Sequence, residues 1–188
     1  MLLFGAVQAT MVLAGWYGGE RLTVREGAGL ALALSGLAAM LLPGLSAPPL
    51  AGSLLMLLAG TAWGVYSLLG RRVADPAAAT TGNFLRAAPL SCFFSLLMLA
   101  RLHLDPAGVL YAVLSGVFAS GIGYVIWYAA LRGLSATGAA SVQLSVPLLA
   151  ALGGIVFLDE SITLRLAVSS VAILGGIAMV VLKRRALP

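Results

Sequence analysis

Charged residues are scarce in this sequence. Only 9% of its 188 residues are Asp, Glu, Lys or Arg, whereas 61% are hydrophobic. A soluble domain carries roughly a quarter charged residues, because water must solvate its surface. The composition therefore excludes an ordinary water-soluble domain and indicates a protein that is surrounded by the hydrocarbon of a lipid bilayer.

Cysteine and histidine are almost absent, with one residue of each type, Cys92 and His103. These counts exclude a disulfide framework, a CxxC redox pair and a His/Cys zinc site. A serine hydrolase centred on Ser120 would need a buried base, yet the single histidine falls in a predicted loop. The sequence therefore predicts no enzyme, no catalytic residue, no metal site and no cofactor.

Positive charge exceeds negative charge, because eleven Lys and Arg residues stand against six Asp and Glu residues, for a net charge of +5. The positive residues stand singly or in pairs between apolar runs, apart from Lys183-Arg184-Arg185 near the C-terminus. Such spacing builds no basic face for phosphates. We therefore exclude nucleic acid as a partner and predict the lipid bilayer instead.

Apolar runs of membrane-spanning length recur along the chain. A bilayer core about 30 Å thick needs roughly 20 apolar residues of helix. The predicted spans are about 1–17, 27–44, 50–70, 79–100, 107–131, 136–158 and 166–182. The predicted fold is therefore all-α, a polytopic bundle of about seven transmembrane helices. No positively charged segment precedes the first run, so no cleavable signal peptide is expected.

The connecting segments place positive charge mainly on one side of the predicted membrane. One side carries Arg21, Arg25, Arg71, Arg72, Arg132, Lys183, Arg184 and Arg185, and the other carries Arg101 and Arg165. Cytoplasmic loops are enriched in Lys and Arg. We therefore predict a multi-pass protein of the cell (inner) membrane, with a cytoplasmic C-terminus and an N-terminus on the far side.

An internal repeat relates the two ends of the chain. Val7-Gln8-Ala9-Thr10 resembles Val142-Gln143-Leu144-Ser145, and Gly19-Glu20-Arg21-Leu22-Thr23 resembles Asp159-Glu160-Ser161-Ile162-Thr163. The first match is offset by 135 positions and the second by 140. Five predicted spans separate the two copies, and this odd number inverts one copy relative to the other. Inverted repeats are typical of secondary transporters.

Several short motifs together resemble one family. They are Tyr128-Ala129-Ala130-Leu131, Pro147, Glu160-Ser161-Ile162-Thr163, Gly175-Gly176, Gly19-Glu20-Arg21-Leu22-Thr23 and Trp63-Gly64-Val65-Tyr66. This pattern is similar to the EamA domain of the drug/metabolite transporter superfamily, whose members have ten helices in two inverted halves. The chain resembles the last seven helices. Residues 1–45 would then end the first repeat, 46–188 would form the second, and three N-terminal helices are expected to be missing.

The resemblance implies a secondary transporter of small organic metabolites that works by alternating access. Its implied partners are the bilayer and a small-molecule substrate. A homodimer is a further possibility. The alternative interpretation is a non-transporting truncated membrane fragment, or an accessory membrane subunit that is stable only with a partner.

Four polar residues stand at matching places in the repeat: Gln8, Thr10, Gln143 and Ser145. In hydrocarbon such side chains must pair with each other or line a wet cavity. They are candidates for a substrate site, and interhelical hydrogen bonding that merely holds the bundle is the alternative. Pro147 frees a backbone carbonyl in the same span and serves either interpretation.

Further candidates are charged, aromatic or recurrent. Arg86, the only charge inside a predicted span, and Asn83 could contact substrate, or Arg86 could reach towards the headgroups. Aromatic residues could line the cavity or form an interfacial belt: Trp63, Tyr66, Tyr124, Trp127 and Tyr128.

The recurrent loop residues suggest a structural role rather than transport chemistry. Thr23 and Glu26 fit a capping box that opens the second span. Glu20 and Glu160 recur in both copies, as do Thr23 and Thr163, so we expect them to shape the turn. Proton coupling by a membrane-embedded carboxylate has no support, because no predicted span contains an acidic residue.

Overall fold

A computed structural model describes residues 2–41, 49–101 and 104–182. His103 and Lys183-Arg184-Arg185 lie outside the described residues. Within them, every regular element is helical. The long helices are α1 (Leu2–Tyr17), α2 (Val24–Leu41), α3 (Leu50–Gly70), α4 (Pro76–Leu97), α5 (Pro106–Leu131), α6 (Ala136–Leu158) and α7 (Leu164–Val181), and a 3₁₀ turn covers Leu99–Arg101.

The all-helical, polytopic fold is confirmed. Five helices, α2, α3, α5, α6 and α7, are long and apolar enough to cross a membrane. Helix α1 is apolar but has only 16 residues, and α4 has 22 residues but carries several polar side chains. Helices α2 and α7 begin two or three residues before the predicted spans, so Arg25, Glu26 and Arg165 lie in their first turns.

Local capping chemistry explains where the helices begin. Asp75 and Asp105 each precede a proline and accept hydrogen bonds from first-turn backbone N–H groups, as do Ser135 and Thr163. These oxygens satisfy donors that a helix start otherwise leaves unpaired. A proline at the first helical position suits this geometry because its missing N–H has no helical partner there.

Two of the helices contain an irregular segment. Helix α5 changes from α to π geometry over Ser115–Ile122. Helix α6 consists of Ala136–Gln143 and Ser145–Leu158, joined through Leu144. Pro147 explains the second irregularity, because it has no N–H to donate to the carbonyl of Gln143, four residues earlier. The irregularity therefore falls beside one of the candidate site residues.

The chain divides into two compact units. Unit 1 comprises the described parts of Met1–Leu68 and Leu134–Pro188, and unit 2 comprises Leu69–Gly133. In unit 1, α2 and α7 pack antiparallel in close contact. A Cβ atom on Gly29 would lie 2.7 Å from the carbonyl oxygen of Gly176, and one on Gly36 would lie 3.0 Å from that of Ser169.

These two contacts are related by the repeat. A shift of 140 positions carries Gly29 onto Ser169 and Gly36 onto Gly176. The shift therefore exchanges the two contacts, as a self-complementary contact about a two-fold axis requires. The repeat found in the sequence is thus visible in the packing of α2 against α7.

Helix α3 packs against α1 in the same unit. The backbone of Leu3 and the side chain of Ala6 lie against Gly60, and a Cβ atom on Gly64 would lie 2.8 Å from the Cβ of Thr10. Small residues four apart allow this close approach. These contacts bring one face of α3 beside the polar residues of α1.

Large apolar side chains cover the outside of both units. Phe157 is 83% exposed, and Leu55, Phe94 and Val156 are also exposed. Water would make so much exposed apolar surface unfavourable, whereas hydrocarbon solvates it. The surface therefore agrees with the composition.

Candidate functional site

Gln8 on α1 and Gln143 on α6 are buried at matching places in the repeat, with 3% and 2% exposure. The Nε2 of Gln8 donates to the carbonyl of Ala140 at 2.7 Å, and the Nε2 of Gln143 donates to the Ser67 hydroxyl at 2.9 Å. In the described part of the chain, neither Oε1 atom has a hydrogen-bond partner. Each amide is therefore held by its nitrogen and leaves its oxygen available.

The indole of Trp63 belongs to the same region of unit 1. Its ring lies 6.0 Å from that of Phe4, and its Nε1 is buried without a partner among the described residues. Ser67, which binds Gln143, stands four residues after Trp63 on α3, and residues four apart share a helix face. We call Gln8, Trp63 and Gln143 the polar cluster.

Thr10, Tyr66, Ser145 and Pro147 also lie in unit 1 and are all half-buried. The Ser145 hydroxyl donates to the carbonyl of Val142 at 2.7 Å, within its own helix. Thr10 packs against Gly64. Among the repeat-matched polar residues, the two glutamines thus keep an oxygen without a described partner. The Ser145 hydroxyl instead bonds within its own helix.

Glu20 reaches across to another helix. Its carboxylate accepts hydrogen bonds from the backbone N–H groups of Ala136 and Thr137, at 2.7 and 3.2 Å, and from the Thr137 hydroxyl at 3.4 Å. A carboxylate at a helix start satisfies unpaired donors and opposes the positive end of the helix dipole. Glu20 therefore joins the end of α1 to the beginning of α6.

The other loop residues have local roles. The Thr23 hydroxyl accepts from the Glu26 N–H at 3.2 Å, and the Glu26 carboxylate accepts from the Thr23 N–H at 2.8 Å, which completes the predicted capping box. Thr163 caps α7 by accepting from the N–H of Leu166. Glu160 is exposed, and its carboxylate folds back over Gly154.

Unit 2 holds the remaining candidates. The Asn83 side-chain N–H donates to the Tyr128 hydroxyl at 3.4 Å, and the Tyr128 ring packs directly on Gly70. Tyr124 makes edge contacts with Tyr128 and with Phe84. Tyr128, at 2% exposure, therefore belongs to the packed interior of this unit.

Arg86 is exposed, and its guanidinium folds back along α4. A Cβ atom on Gly82 would lie 3.1 Å from Nη1 of Arg86, so the charge points towards the beginning of the helix. This direction is the one that an arginine reaching for the headgroups would take.

An apolar groove of about 670 Å³ lies between α4 and α5, lined by Thr80, Phe84, Gly116 and Val117 among others. The Thr80 hydroxyl is buried and has no partner among the described residues. No charged side chain lines this groove. Among the described residues there is also no group of three or more His, Cys, Asp or Glu side chains that could hold a metal ion.

Comparison with known proteins identifies the family. Residues 50–182 match the EamA-like transporter family. The chain belongs to this family. It is accordingly a multi-pass membrane protein, and the resemblance noted in the motifs is confirmed. The matched range covers α3 to α7 and therefore includes Trp63 and Gln143.

One relative is the Pseudomonas aeruginosa protein named "Uncharacterized protein PA1977", which is 55% identical over 184 residues. The match covers 98% of this EamA-like chain and 64% of the relative. A solved structure described as "Crystal structure of protein" has a TM-score of 0.83 at 24% identity, covering 99% of this chain and 66% of the other. The chain thus spans just under two thirds of the length of the relative and of the solved structure. The likeness to the solved structure shows the fold.

Sequence reasoning missed two polar residues of the EamA-like chain. Ser67 is fully buried against Gln143, and Thr80 is buried at the groove. A signal for Ser67 was present, since it stands one turn after Trp63 in an apolar run. The link from Glu20 to α6 had no such signal, because more than a hundred residues separate the partners.

Proposed function

We propose that the protein is a secondary transporter that carries a small polar organic metabolite across the cell's inner membrane by alternating access, with its C-terminus in the cytoplasm. The observation that carries this proposal is the pair of buried glutamines. Gln8 and Gln143 occupy repeat-matched positions in the interior of apolar helices, and each keeps an unpaired carbonyl oxygen. Interhelical packing needs only the two Nε2 bonds.

Leaving a buried acceptor unpaired costs about 1–3 kcal/mol. A site that binds a passing solute must keep such atoms available, since a fully paired side chain has nothing to offer. Secondary transporters of this plan bind substrate near the bilayer midplane, where the two repeats meet. The polar cluster has both properties: it is buried, and it joins residues from the two copies.

Alternating access also requires a contact that opens and closes. The hydrogen bonds from α6 to Glu20 join the ends of two repeat-related helices. We propose that they hold one face of the protein closed and that they break when this face opens. Glu20→Gln keeps the side-chain shape but removes the charge, so it should change the rate of uptake and leave solute affinity unchanged.

Uptake into liposomes tests the transport proposal. The purified full chain is reconstituted, and a panel of labelled polar metabolites is screened for saturable uptake. Gln8→Leu and Gln143→Leu should each lower uptake at least tenfold. Ser141→Ala is the matched control, because Ser141 is equally buried on α6 but its hydroxyl is paired with the carbonyl of Thr137.

The same assay separates the alternative, a truncated fragment or accessory membrane subunit. That alternative predicts no saturable uptake of any solute by the purified chain, and equal behaviour of all three variants. Saturable uptake that Gln143→Leu removes and Ser141→Ala keeps would exclude it.

A further inference from the structure

We propose that the polar cluster binds an uncharged solute that offers two hydrogen-bond donors and one acceptor, as a carboxamide or urea group does. The inference rests on the proposed function, since it takes this cluster as the substrate site. It names the chemical class of the solute, which the family membership does not.

The cluster presents a defined set of unpaired atoms. They are Oε1 of Gln8, Oε1 of Gln143 and Nε1 of Trp63, all buried and without a partner among the described residues. The two oxygens only accept hydrogen bonds, and the indole N–H only donates. Most buried polar groups in proteins are paired, so three unpaired atoms in one region indicate a binding function.

Hydrogen bonds place the three residues on adjoining turns of three touching helices. Gln8 binds the carbonyl of Ala140, which stands three residues before Gln143 on α6. Gln143 binds Ser67, which stands one turn after Trp63 on α3. The three residues therefore lie where α1, α3 and α6 meet.

The nitrogen bond of Gln8 also orients its acceptor. The carbonyl oxygen of Ala140 can only accept, so the end of Gln8 that faces it must be Nε2, and the free end must be Oε1. A preorganised acceptor loses little conformational entropy when it binds a donor. Gln8 is thus fixed as an acceptor before any solute arrives.

Charge around the cluster argues for a neutral solute. In the described residues of unit 1, the charged side chains all lie in the connecting segments or in the first turn of a helix: Glu20, Arg21, Arg25, Glu26, Asp159, Glu160 and Arg165. A charged solute at the cluster would find no counter-charge within α1, α3 or α6, the helices that form it. Burying an unpaired charge in hydrocarbon is costly.

The atoms then match a recognisable chemical group. A primary carboxamide carries two N–H donors, which suit the two glutamine oxygens, and one carbonyl, which suits the indole N–H. A carboxylate offers no donor to the glutamines. An ammonium group offers donors but brings a charge and no acceptor for Trp63.

Three related probes test this class directly: benzamide, N,N-dimethylbenzamide and benzoate. Binding to the purified full chain is measured by calorimetry. We expect benzamide to bind at least tenfold more tightly than the dimethyl compound, which lacks both donors, and than benzoate, which is charged. Equal affinities for the three probes, or tighter binding of benzoate, would overturn the inference.

Variants identify the atoms that are used. Gln8→Leu, Gln143→Leu and Trp63→Phe should each weaken benzamide binding about tenfold, the effect of one lost hydrogen bond of roughly 1.4 kcal/mol. Ser141→Ala should leave the affinity unchanged. Trp63→Phe keeps an aromatic ring beside Phe4, so it decides the question even where a glutamine variant fails to fold. Full affinity in Trp63→Phe would remove the indole from the site and overturn the proposed class.

The two proposals fail in different ways. Benzamide binding that depends on the cluster, without saturable uptake into liposomes, would support this inference and overturn transport. Saturable uptake restricted to charged solutes would support transport and overturn this inference.

Discussion

The two Glu-x-x-Thr loops of this chain begin alike and end differently. Gly19 and Asp159 stand at matching positions and both have left-handed backbones, with φ of 90° and 53°. The N–H of the following glutamate then returns to a glycine carbonyl of the preceding helix, Gly15 in the first loop and Gly154 in the second. The two loops therefore share a left-handed residue at matching positions, but the closing hydrogen bond spans five residues in the first loop and six in the second.

The difference lies in what each carboxylate meets. Glu20 binds the beginning of α6, whereas Glu160 is exposed and makes no described hydrogen bond with its side chain. The following helix start also differs, because Glu26 completes a capping box and the matching position is Leu166. One local motif thus has two energetic consequences, according to its neighbours.

Glu20→Ala should have the largest effect on this comparison. It removes three hydrogen bonds at the beginning of α6 and should lower the free energy of unfolding by about 2 kcal/mol. Thermal melting in detergent micelles measures the loss. The matched control is Glu160→Ala, for which we expect a change under about 0.5 kcal/mol. Equal losses in the two variants would show that the observed α1–α6 contact contributes nothing to stability.

The next largest difference in stability between the two loops is expected from Gly15→Ala and Gly154→Ala. A Cβ atom on Gly15 would lie 2.8 Å from Oε2 of Glu20 and 3.1 Å from the Cβ of Ala136, both of which are held in place. We expect a loss of about 1–2 kcal/mol from this overpacking. Gly154→Ala meets only the exposed side chain of Glu160, which can move away, so it should be neutral or stabilising. The same melting assay compares the two variants, and a neutral Gly15→Ala would contradict the packing.

The capping box can be removed from the first helix start and completed at the second. Glu26→Ala should cost about 1 kcal/mol, because it removes the acceptor of the Thr23 N–H. Leu166→Glu should build the missing half of the box beside Thr163 and gain about 0.5 kcal/mol. Unfolding in SDS measures both changes. A destabilised Leu166→Glu would mean that this helix start is set by its apolar contacts.

The smallest effect is expected at the left-handed turn. Asp159→Gly should stabilise the protein by about 0.5 kcal/mol, because glycine adopts positive φ without a steric penalty. Gly19→Ala, the reverse change in the other loop, should destabilise it by about 1 kcal/mol. Melting curves of the pair should therefore shift in opposite directions. Shifts in the same direction would show that the two turns are not equivalent.

Much of the fold was predictable because its causes are local. Apolar runs, prolines and capping residues act within a few positions, so the seven helices and the box between Thr23 and Glu26 follow from neighbouring residues. The helix starts are local as well: α2 and α7 include their first-turn charges, because the end of a helix can be solvated even where its middle cannot.

The candidate site was predictable only in part. Composition could identify Gln8, Gln143 and Ser145 as polar residues in apolar runs, but it could not assign their partners. The Ser145 hydroxyl binds a carbonyl of its own helix. The glutamines each bind a different helix: Gln8 reaches Ala140 on α6, and Gln143 reaches Ser67 on α3. A short hydroxyl reaches the preceding turn of its helix, and a longer amide can reach a neighbouring helix.

The sequence by itself determined that the chain is surrounded by a lipid bilayer and that its two ends are related by a repeat. Each of these conclusions depends on composition or on residues a few positions apart. Only the tertiary structure decided that Glu20 binds the beginning of α6 while Glu160 does not, and that three polar atoms of the cluster have no partner among the described residues. These contacts depend on which helices pack against each other. Residues that are far apart in the sequence meet only in the folded chain.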